Sequence, residues 1–272
     1  MRVRLALLVG LVLVAVAGLA ATPSQAITFG SPDGTLHPIV GGLLADWNPD
    51  SPGPDLFCSG TLVDDRVFLT AAHCTAALDG LGITEAWVTF DPVYDEDAAA
   101  PSGIWAVDSW VGHELFGSGG ASDTHDIAVV FLEQDPGIAP AQLPSLGLLD
   151  AMSQRTIREQ TFTAVGYGTI RTEKGGGFKG ILDNAQRNWV LQSMLSLEPA
   201  WLNLSMNPST GNGGTCYGDS GGPHFLGGVS STLVVSITIT GDAVCRATDK
   251  TYRLDAPDAQ EFLSRFGLVA GP

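Results

Sequence analysis

Short apolar runs separated by turn-forming residues recur along most of the chain. The runs are rich in β-branched and aromatic residues, and glycine, proline, serine or aspartate interrupts them roughly every ten residues, a spacing typical of an all-β barrel or sandwich. The pattern therefore predicts many short strands rather than long helices. The runs marked most clearly as strands are 60–63, 67–69, 86–90, 127–132, 161–165, 188–191 and 233–239.

A helix is clearly marked at the C-terminal end of the chain. Asp255 is the predicted N-cap, Pro257 stands in the first turn and Gly267 follows the last periodic residue, which are usual signals for the two ends of a helix. Between them, apolar residues recur at the spacing i, i+3, i+4, i+7, which places them on one face. These residues are Ala259, Phe262, Leu263 and Phe266.

Residues 1–26 have the features of a secretory signal peptide. Arg2 and Arg4 precede an apolar run over 5–21, and Ser24 and Ala26 put small residues at a cleavage site, as signal peptidase requires. A membrane anchor is the alternative, because the run approaches the shortest length that spans a bilayer. The cleavage site, and the lack of another long apolar run in the sequence, favour export. A secreted chain is expected to hold its four cysteines in disulfides rather than as metal ligands.

The composition of the 272 residues favours a folded, acidic protein. Hydrophobic residues make up 44% and charged residues 15%, and 29 acidic residues against 13 basic ones give a net charge of −16. This charge has the wrong sign for nucleic acid and for an anionic membrane surface, so neither is an expected partner once the signal peptide is removed. A stretch rich in proline and glycine at 134–147 predicts a boundary between two halves, 27–140 and 141–272.

Three short stretches contain residues suited to acyl transfer. The sequences are TAAHC around His73, DIAVV beginning at Asp126, and GDSGGP around Ser220. Acyl transfer by serine needs a base for the hydroxyl proton, a carboxylate that orients the base, and backbone N–H donors for the oxyanion. Each stretch alone is weak, because a lone histidine, a strand-end aspartate or a glycine-rich turn is common. Together, in this order, they predict a catalytic triad.

The sequence Gly218-Asp219-Ser220-Gly221-Gly222 also satisfies the G-x-S-x-G pattern of α/β-hydrolases. That fold needs the chain order serine, acid, histidine and a helix directly after the nucleophile. The histidine that follows Ser220 is His224, four residues on, and Pro223 fits poorly with a helix starting there. A lipase or esterase of that fold is therefore not expected.

The three motifs, in the order His, Asp, Ser, resemble the trypsin/chymotrypsin family of serine endopeptidases, and particularly its secreted bacterial members. Further stretches of the sequence share the resemblance, which extends over about residues 27–267: FCSGTL at 57–62, AVGYG at 164–168 and YRLD at 252–255. The resemblance implies an all-β fold of two packed antiparallel six-stranded β-barrels with a C-terminal helix. The active site would lie in the cleft between the barrels.

The resemblance also assigns roles to individual residues. Ser220 would be the nucleophile, His73 the general acid and base, and Asp126 its orienting partner, while the backbone N–H groups of Gly218 and Ser220 would form the oxyanion hole. The implied disulfides are Cys58–Cys74 and Cys216–Cys245, and among the three pairings that four cysteines allow this one closes only local loops.

The expected function is a secreted serine endopeptidase that hydrolyses protein or peptide substrates as a monomer, without a cofactor or a metal ion. Protein inhibitors are further expected partners. The competing hypothesis is a catalytically silent secreted binding protein on the same scaffold, although such proteins usually lose a triad residue. The acidic run Asp95-Glu96-Asp97 could bind Ca²⁺ in a loop, but a solvated surface run is the simpler interpretation.

Family members mature by freeing an Ile or Val amine that pairs with the aspartate before the nucleophile, which is Asp219 here. Two residues could supply this amine. Ile39 begins the more typical string, IVGG, but Ile27 directly follows the predicted cleavage site, and Pro38 lies eleven residues after it, where the family has a proline. The resemblance therefore favours a pair of Ile27 and Asp219, with no activating protease.

The resemblance also places a substrate pocket near the nucleophile. Gly214 stands where relatives that prefer Lys or Arg hold an aspartate, so strong preference for a basic residue before the scissile bond is not expected. Thr238 replaces a glycine at the pocket mouth, and Lys250 could favour an acidic side chain if it points inward. A small or medium apolar residue is the predicted preference. The candidate substrate-binding residues are Gly214, Thr215, Tyr217, Ser236, Thr238 and Lys250, with Ser236–Thr238 pairing with substrate as an extended strand.

Overall fold

The computed structural model describes residues 27–95 and 103–270. The predicted signal peptide, 1–26, lies outside the described residues, as do Glu96 and Asp97 of the acidic run. No helix among the described residues is long and apolar enough to cross a membrane.

The first part of the chain forms a closed antiparallel barrel. A short strand, β1 (Ser31–Pro32), precedes the barrel. The barrel strands join in the ring order β2-β3-β4-β7-β6-β5, and their alternate residues, such as Leu43 and Phe68, fill the interior. The strands are β2 (Val40–Ala45), β3 (Asp55–Asp64), β4 (Val67–Thr70), β5 (Ala86–Thr89), β6 (Ile104–Gly112) and β7 (Ala128–Leu132).

The second part of the chain forms another closed antiparallel barrel. Its strands are β8 (Thr161–Gly166), β9 (Asn188–Leu197), β10 (Trp201–Ser205), β11 (Pro223–Leu226), β12 (Val234–Gly241) and β13 (Thr248–Arg253). The strands run β9-β10-β13-β12-β11-β8, and pairing of β8 with β9 closes the ring. The predicted fold class, two six-stranded antiparallel barrels with a C-terminal helix, is confirmed for the described residues.

The two barrels share one hydrophobic core. Val40 and Val129 of the first barrel belong to the same buried cluster as Phe225 and Ile237 of the second, and Phe262 of the C-terminal helix packs into it. The N-terminal segment also crosses between them, because Ser31 of β1 pairs with Trp189 of β9. The boundary near 140 stays a prediction.

Three α-helices lie among the described residues, and one was predicted. They are α1 (Ala72–Leu81), α2 (Gln154–Arg158) and α3 (Pro257–Ser264). The predicted N-cap of α3 was wrong, because Ala256 holds that position without a side-chain cap. The Asp255 carboxylate instead accepts hydrogen bonds from Arg253 Nε at 2.9 Å and from the Leu149 backbone N–H at 2.8 Å.

Candidate active site

His73 and Asp126 form a closely hydrogen-bonded pair. His73 lies in the first turn of α1 and Asp126 stands just before β7. The backbone N–H of His73 donates to Asp126 Oδ1, and His73 Nδ1 lies 2.8 Å from Oδ2, with the first distance also 2.8 Å. The aspartate side chain is 5% exposed and the histidine side chain 33%. The buried carboxylate therefore fixes the ring with Nε2 turned away from it, toward the exposed side.

Ser220 stands in a tight loop of the second barrel that contacts the first barrel beside His73. The Ser220 carbonyl accepts from the backbone N–H of Ser59 at 2.9 Å. The next residue, Gly221, comes so close to the first barrel that a Cβ would lie 2.1 Å from Thr70 Oγ1 and 2.7 Å from the Ala71 backbone nitrogen. The Ser220 loop therefore contacts the first barrel at Ala71, two residues before His73.

The backbone amides of Gly218 and Ser220 are available to a ligand. Neither N–H donates a hydrogen bond to the part of the chain that the structure describes. Gly218 has a φ of +93°, a left-handed conformation that favours glycine. Two backbone hydrogen bonds hold the loop together: Asp219 N–H donates to the Cys216 carbonyl at 3.1 Å, and Gly222 N–H donates to the Asp219 carbonyl at 2.8 Å.

Asp219 is a fully buried carboxylate held by backbone donors. Its oxygens accept from the N–H groups of Gly168 and Cys216, both at 2.8 Å, and it has no ion pair with a cationic side chain in the described segments. Burial is the main cause that raises its pKa to about 7, against those two hydrogen bonds, with the charge of Asp249 adding to the rise. A carboxylate in this setting lacks a positive charge.

The N-terminal residues pack against this loop. Ile27 is fully buried in a cluster with Ala164 and Val190. Thr28 exchanges two backbone hydrogen bonds with Gly214, at 2.8 and 3.0 Å. Ile39, the alternative terminus, is buried directly before β2.

A cavity of about 290 Å³ opens beside Ser220. Three predicted substrate-binding residues, Thr215, Tyr217 and Thr238, line it. The wall also includes the disulfide of Cys216 with Cys245, and the other disulfide joins Cys58 to Cys74, so the pairing is the one that the resemblance implies. The remaining lining residues are Ile239, Thr240, Gly241, Asp242 and Ala243.

Gly214, Ser236 and Lys250, also expected at the pocket, are not among the residues that line this cavity. A Cβ on Gly214 would lie 2.1 Å from Met206 Cγ. Ser236 Oγ accepts from Thr251 Oγ1 at 2.8 Å inside the barrel. Lys250 Nζ lies 4.0 Å from the centre of the Trp201 ring.

The part of β12 that borders the cavity lies further along the chain than the sequence indicated, at residues 238–241 rather than 236–238. Thr238 exchanges backbone hydrogen bonds with the loop that contains Ser220, donating to the Gly222 carbonyl at 2.9 Å and accepting from Gly221 N–H at 2.8 Å. Ile239 and Thr240, which follow it, therefore face the cavity and were missed. The repeated Ile-Thr of 237–240 makes a two-residue shift invisible in the sequence pattern.

Two groups of side chains have the composition of metal ligands. One contains His73 with Cys58 and Cys74, but these cysteines are bonded to each other and so are not thiolate ligands. The other joins His113, His125 and Asp258. His113 and His125 lie on either side of the loop between β6 and β7, and the fold stacks their rings with centres 5.0 Å apart.

A His–Asp pair on one barrel, facing a serine loop with free amides on the other, defines the class of two-barrel serine endopeptidases. The sequence model of the family described as Trypsin matches residues 45–256 of the chain. The chain therefore belongs to the trypsin family and is a serine endopeptidase, which acts on protein or peptide substrates.

Individual relatives agree with this assignment. Brachyurin from Leptuca pugilator is 33% identical over 217 residues, which cover 73% of this chain and 85% of that protein. Chymotrypsin from Phaedon cochleariae is 27% identical over 205 residues, covering 72% of this chain and 67% of the relative. A solved structure described as HL collagenase covers 90% of this chain and all of its own length, 100%, with a TM-score of 0.66 and 17% identity, and shows the shared fold.

Proposed function

We propose that the chain is exported and cleaves peptide bonds through an acyl-enzyme on Ser220, with His73 as base and Asp126 as its orienting group. The observation that carries the proposal is the bidentate contact of His73 with Asp126, through the backbone N–H and Nδ1, both at 2.8 Å. With Nδ1 bound to a buried carboxylate, the other ring nitrogen is left to take the serine proton.

The proposed reaction has two steps. His73 Nε2 takes the proton of Ser220 Oγ as this oxygen attacks the scissile carbonyl, and then gives the proton to the leaving amine as the C–N bond breaks. Water, activated by the same nitrogen, then hydrolyses the ester. The free N–H groups of Gly218 and Ser220 would donate to the oxyanion in both steps, and loss of one such donor typically costs about 100-fold or more in kcat.

The test of the proposed mechanism is labelling of the secreted protein by a fluorophosphonate, with Ser220→Ala as the control. The wild-type chain is expected to be labelled and the variant is not. Absence of labelling in a folded, correctly processed wild-type chain would contradict the proposed nucleophile.

We propose that the residue before the scissile bond is small or medium-sized and apolar, rather than Arg or Lys. The cavity of about 290 Å³ supports this, since Thr238, Ile239, Thr240 and Gly241 form part of its wall. The lining carboxylate, Asp242, is occupied by backbone N–H groups of Arg246 and Ala247, at 3.1 and 2.6 Å. A peptide library varied at this position measures the preference. Cleavage mainly after Arg or Lys would contradict it and would indicate that the buried Asp249 reaches the pocket.

We propose that signal peptidase itself frees the amine of Ile27, and that this amine pairs with Asp219. The support is the burial of Ile27 beside the loop in which Asp219 lacks a cationic partner. Pairing with the amine would supply the missing charge and hold the amides of Gly218 and Ser220 in place. Mass mapping of the N-terminus of the secreted protein tests this, and an active chain that starts beyond Ile27 would overturn it.

We also propose that the mature enzyme is a monomer and that protein inhibitors can occupy its cleft. The support is that all parts of the proposed site come from one chain. Gel filtration of the active protein is expected to give the mass of one chain, and a larger active species would contradict the first statement.

A further inference from the structure

The C-terminal helix contacts the loop that leads into Asp126. Asp258, in the first turn of α3, places Oδ2 2.7 Å from His125 Nδ1. The same oxygen accepts from Tyr252 Oη at 2.9 Å and lies 3.3 Å from His113 Nε2. We call His113, His125, Tyr252 and Asp258 the Asp258 cluster. It joins α3 and β13 to the segment between β6 and β7.

The Asp258 cluster has the proton arrangement of a hydrogen-bond network rather than of a metal site. His113 Nδ1 accepts a hydrogen bond from the backbone N–H of Leu115 at 3.1 Å. A neutral imidazole that accepts at Nδ1 carries its proton on Nε2, so Nε2 donates toward Asp258. A ligating histidine would need the Nε2 lone pair and would donate through its other nitrogen, which is already an acceptor here.

His125 has a backbone conformation that must be held by its surroundings. Its φ is +51°, in the left-handed region that residues other than glycine rarely adopt. Its N–H donates to Asp123 Oδ1 at 3.0 Å, and its carbonyl accepts from Ile127 N–H at 3.0 Å. The bond from its ring to Asp258 is the third restraint on this turn. Since Asp126 is the next residue, the turn sets the direction in which the Asp126 carboxylate points.

The restraint on His125 comes from Asp258 in α3, which follows the last strand of the barrel that carries Ser220. Burial alone would raise the pKa of Asp258, but the hydrogen bonds from His125 and Tyr252 are the main causes that lower it below its ordinary value. Asp258 is thus a carboxylate that accepts several donors. A second tie between the same parts joins Trp201 Nε1 of β10 to the Ser122 carbonyl at 3.0 Å.

We infer that Asp258 is a positioning residue for the catalytic dyad, acting through His125 to hold the turn that orients Asp126 toward His73. The inference rests on the proposed function, because that function gives Asp126 its orienting role. In this arrangement, the C-terminal helix aligns the His–Asp pair of one barrel with the serine of the other.

The test compares Asp258→Ala, His125→Gly and the double variant. Each single change is expected to lower kcat by about tenfold, the scale of a small misplacement of catalytic groups. KM should stay nearly unchanged, because no residue of the Asp258 cluster lines the cavity. The double variant is expected to be no worse than either single variant, since both remove the same hydrogen bond. Asp258→Asn keeps the shape of the side chain and one acceptor oxygen, so it is expected to retain most of the activity. It serves as the control that separates loss of the hydrogen bond from loss of the fold.

A second readout does not depend on hydrolysis. The low-field proton resonance of the His73–Asp126 hydrogen bond is expected to shift or broaden in Asp258→Ala, and to stay unchanged in Glu261→Ala. Glu261 is a matched control because it lies on the same helix with the same charge and contacts exposed Arg265 at 3.5 Å.

The outcomes separate the two proposals. If Asp258→Ala lowers only the thermal unfolding midpoint, while kcat and the resonance stay unchanged, the helix has a structural role and the inference is overturned. If the wild-type chain does not hydrolyse peptides but the resonance responds to Asp258→Ala, the proposed function fails and the positioning of Asp126 still holds.

Discussion

The position after Ser220 accepts only glycine. Gly221 has a φ of +78°, and a Cβ there would meet Thr70 Oγ1 at 2.1 Å, the Ser59 carbonyl at 2.6 Å and the Ala71 nitrogen at 2.7 Å. Two of these neighbours are backbone atoms that cannot move aside. This close approach seats the Ser220 loop against the first barrel, next to the residues that lead into His73.

Gly221→Ala is therefore expected to push the loop away from His73 and to lower kcat/KM by roughly 100-fold or more. It should also destabilise the fold by about 2–4 kcal/mol through strain and overpacking. The matched control is Gly80→Ala, where a Cβ meets nothing within 4 Å on the exposed side of α1. Equal activity of both variants would contradict the steric argument.

Asp219 gives the unprocessed chain a pH dependence of stability. Its pKa in the folded chain is about 7, against the ordinary 3.8, so between these values the folded state holds a proton that the unfolded state has released. Stability from this group is therefore lost as the pH rises through that window. A chain extended before Ile27 should have an unfolding temperature several degrees higher at pH 5 than at pH 8. Its Asp219→Asn variant, which has no carboxyl group to titrate, should lack this difference. Processing at Ile27 should remove the difference, and an unaltered difference would contradict the pairing.

The candidate site was largely predictable at the level of single residues, but the pocket was not. His73, Asp126 and Ser220 stand in short, composition-specific strings, and the fold brings the first two into contact. Lys250 and Ser236 depend on strand register, which a bulge between Thr238 and Thr240 shifts. A register shift leaves the local pattern unchanged, so the sequence could not reveal it.

At the scale of elements, strands were easier to predict than helices. Run 161–165 matches β8 because β-branched residues alternate there, and run 67–69 matches β4 because it is continuously apolar. Helix α1 went unpredicted because its start carries no sequence signal: Ala71 caps it without a side-chain hydrogen bond, and its first turn has no acidic residue. Asp255 looked like a cap, but two buried donors in the second barrel compete for its carboxylate.

The disulfide Cys216–Cys245 joins the segment that leads into Ser220 to the opposite wall of the cavity. It joins residues 29 apart, and closing a loop of that size stabilises by roughly 3–4 kcal/mol in the chain-entropy model. Replacing both cysteines with serine should lower the unfolding free energy by about that amount and raise KM, since a pocket wall is loosened. The same change at Cys58 and Cys74, 16 residues apart, should cost about 3 kcal/mol and leave KM closer to wild type. Chemical denaturation and steady-state kinetics measure both, and equal KM values would contradict the role of the wall.

At the scale of the whole molecule, the barrels are joined by a common core, and the C-terminal helix belongs to it. Phe262 is 1% exposed, and its ring lies 5.1 Å from that of His113 on the first barrel. The barrels should therefore unfold together rather than one after the other.

Phe262→Ala is expected to destabilise the molecule by about 3–5 kcal/mol through the cavity it leaves, while preserving a single transition. Val269→Ala, at a side chain that is 64% exposed, is the control and should change stability by less than about 0.5 kcal/mol. Calorimetry decides the matter, and two separate transitions in the wild type would contradict a shared core.

The burial of Ile27 has a practical consequence for making this protein in the laboratory. Any affinity tag or leftover protease-site residue fused directly ahead of Ile27 would have to find room inside the second barrel, where Ile27 is fully buried. A purification handle therefore belongs after Val269, at the exposed C-terminal end. If the proposed pair of Ile27 and Asp219 forms, a protein tagged ahead of Ile27 is expected to fold and yet to be inactive.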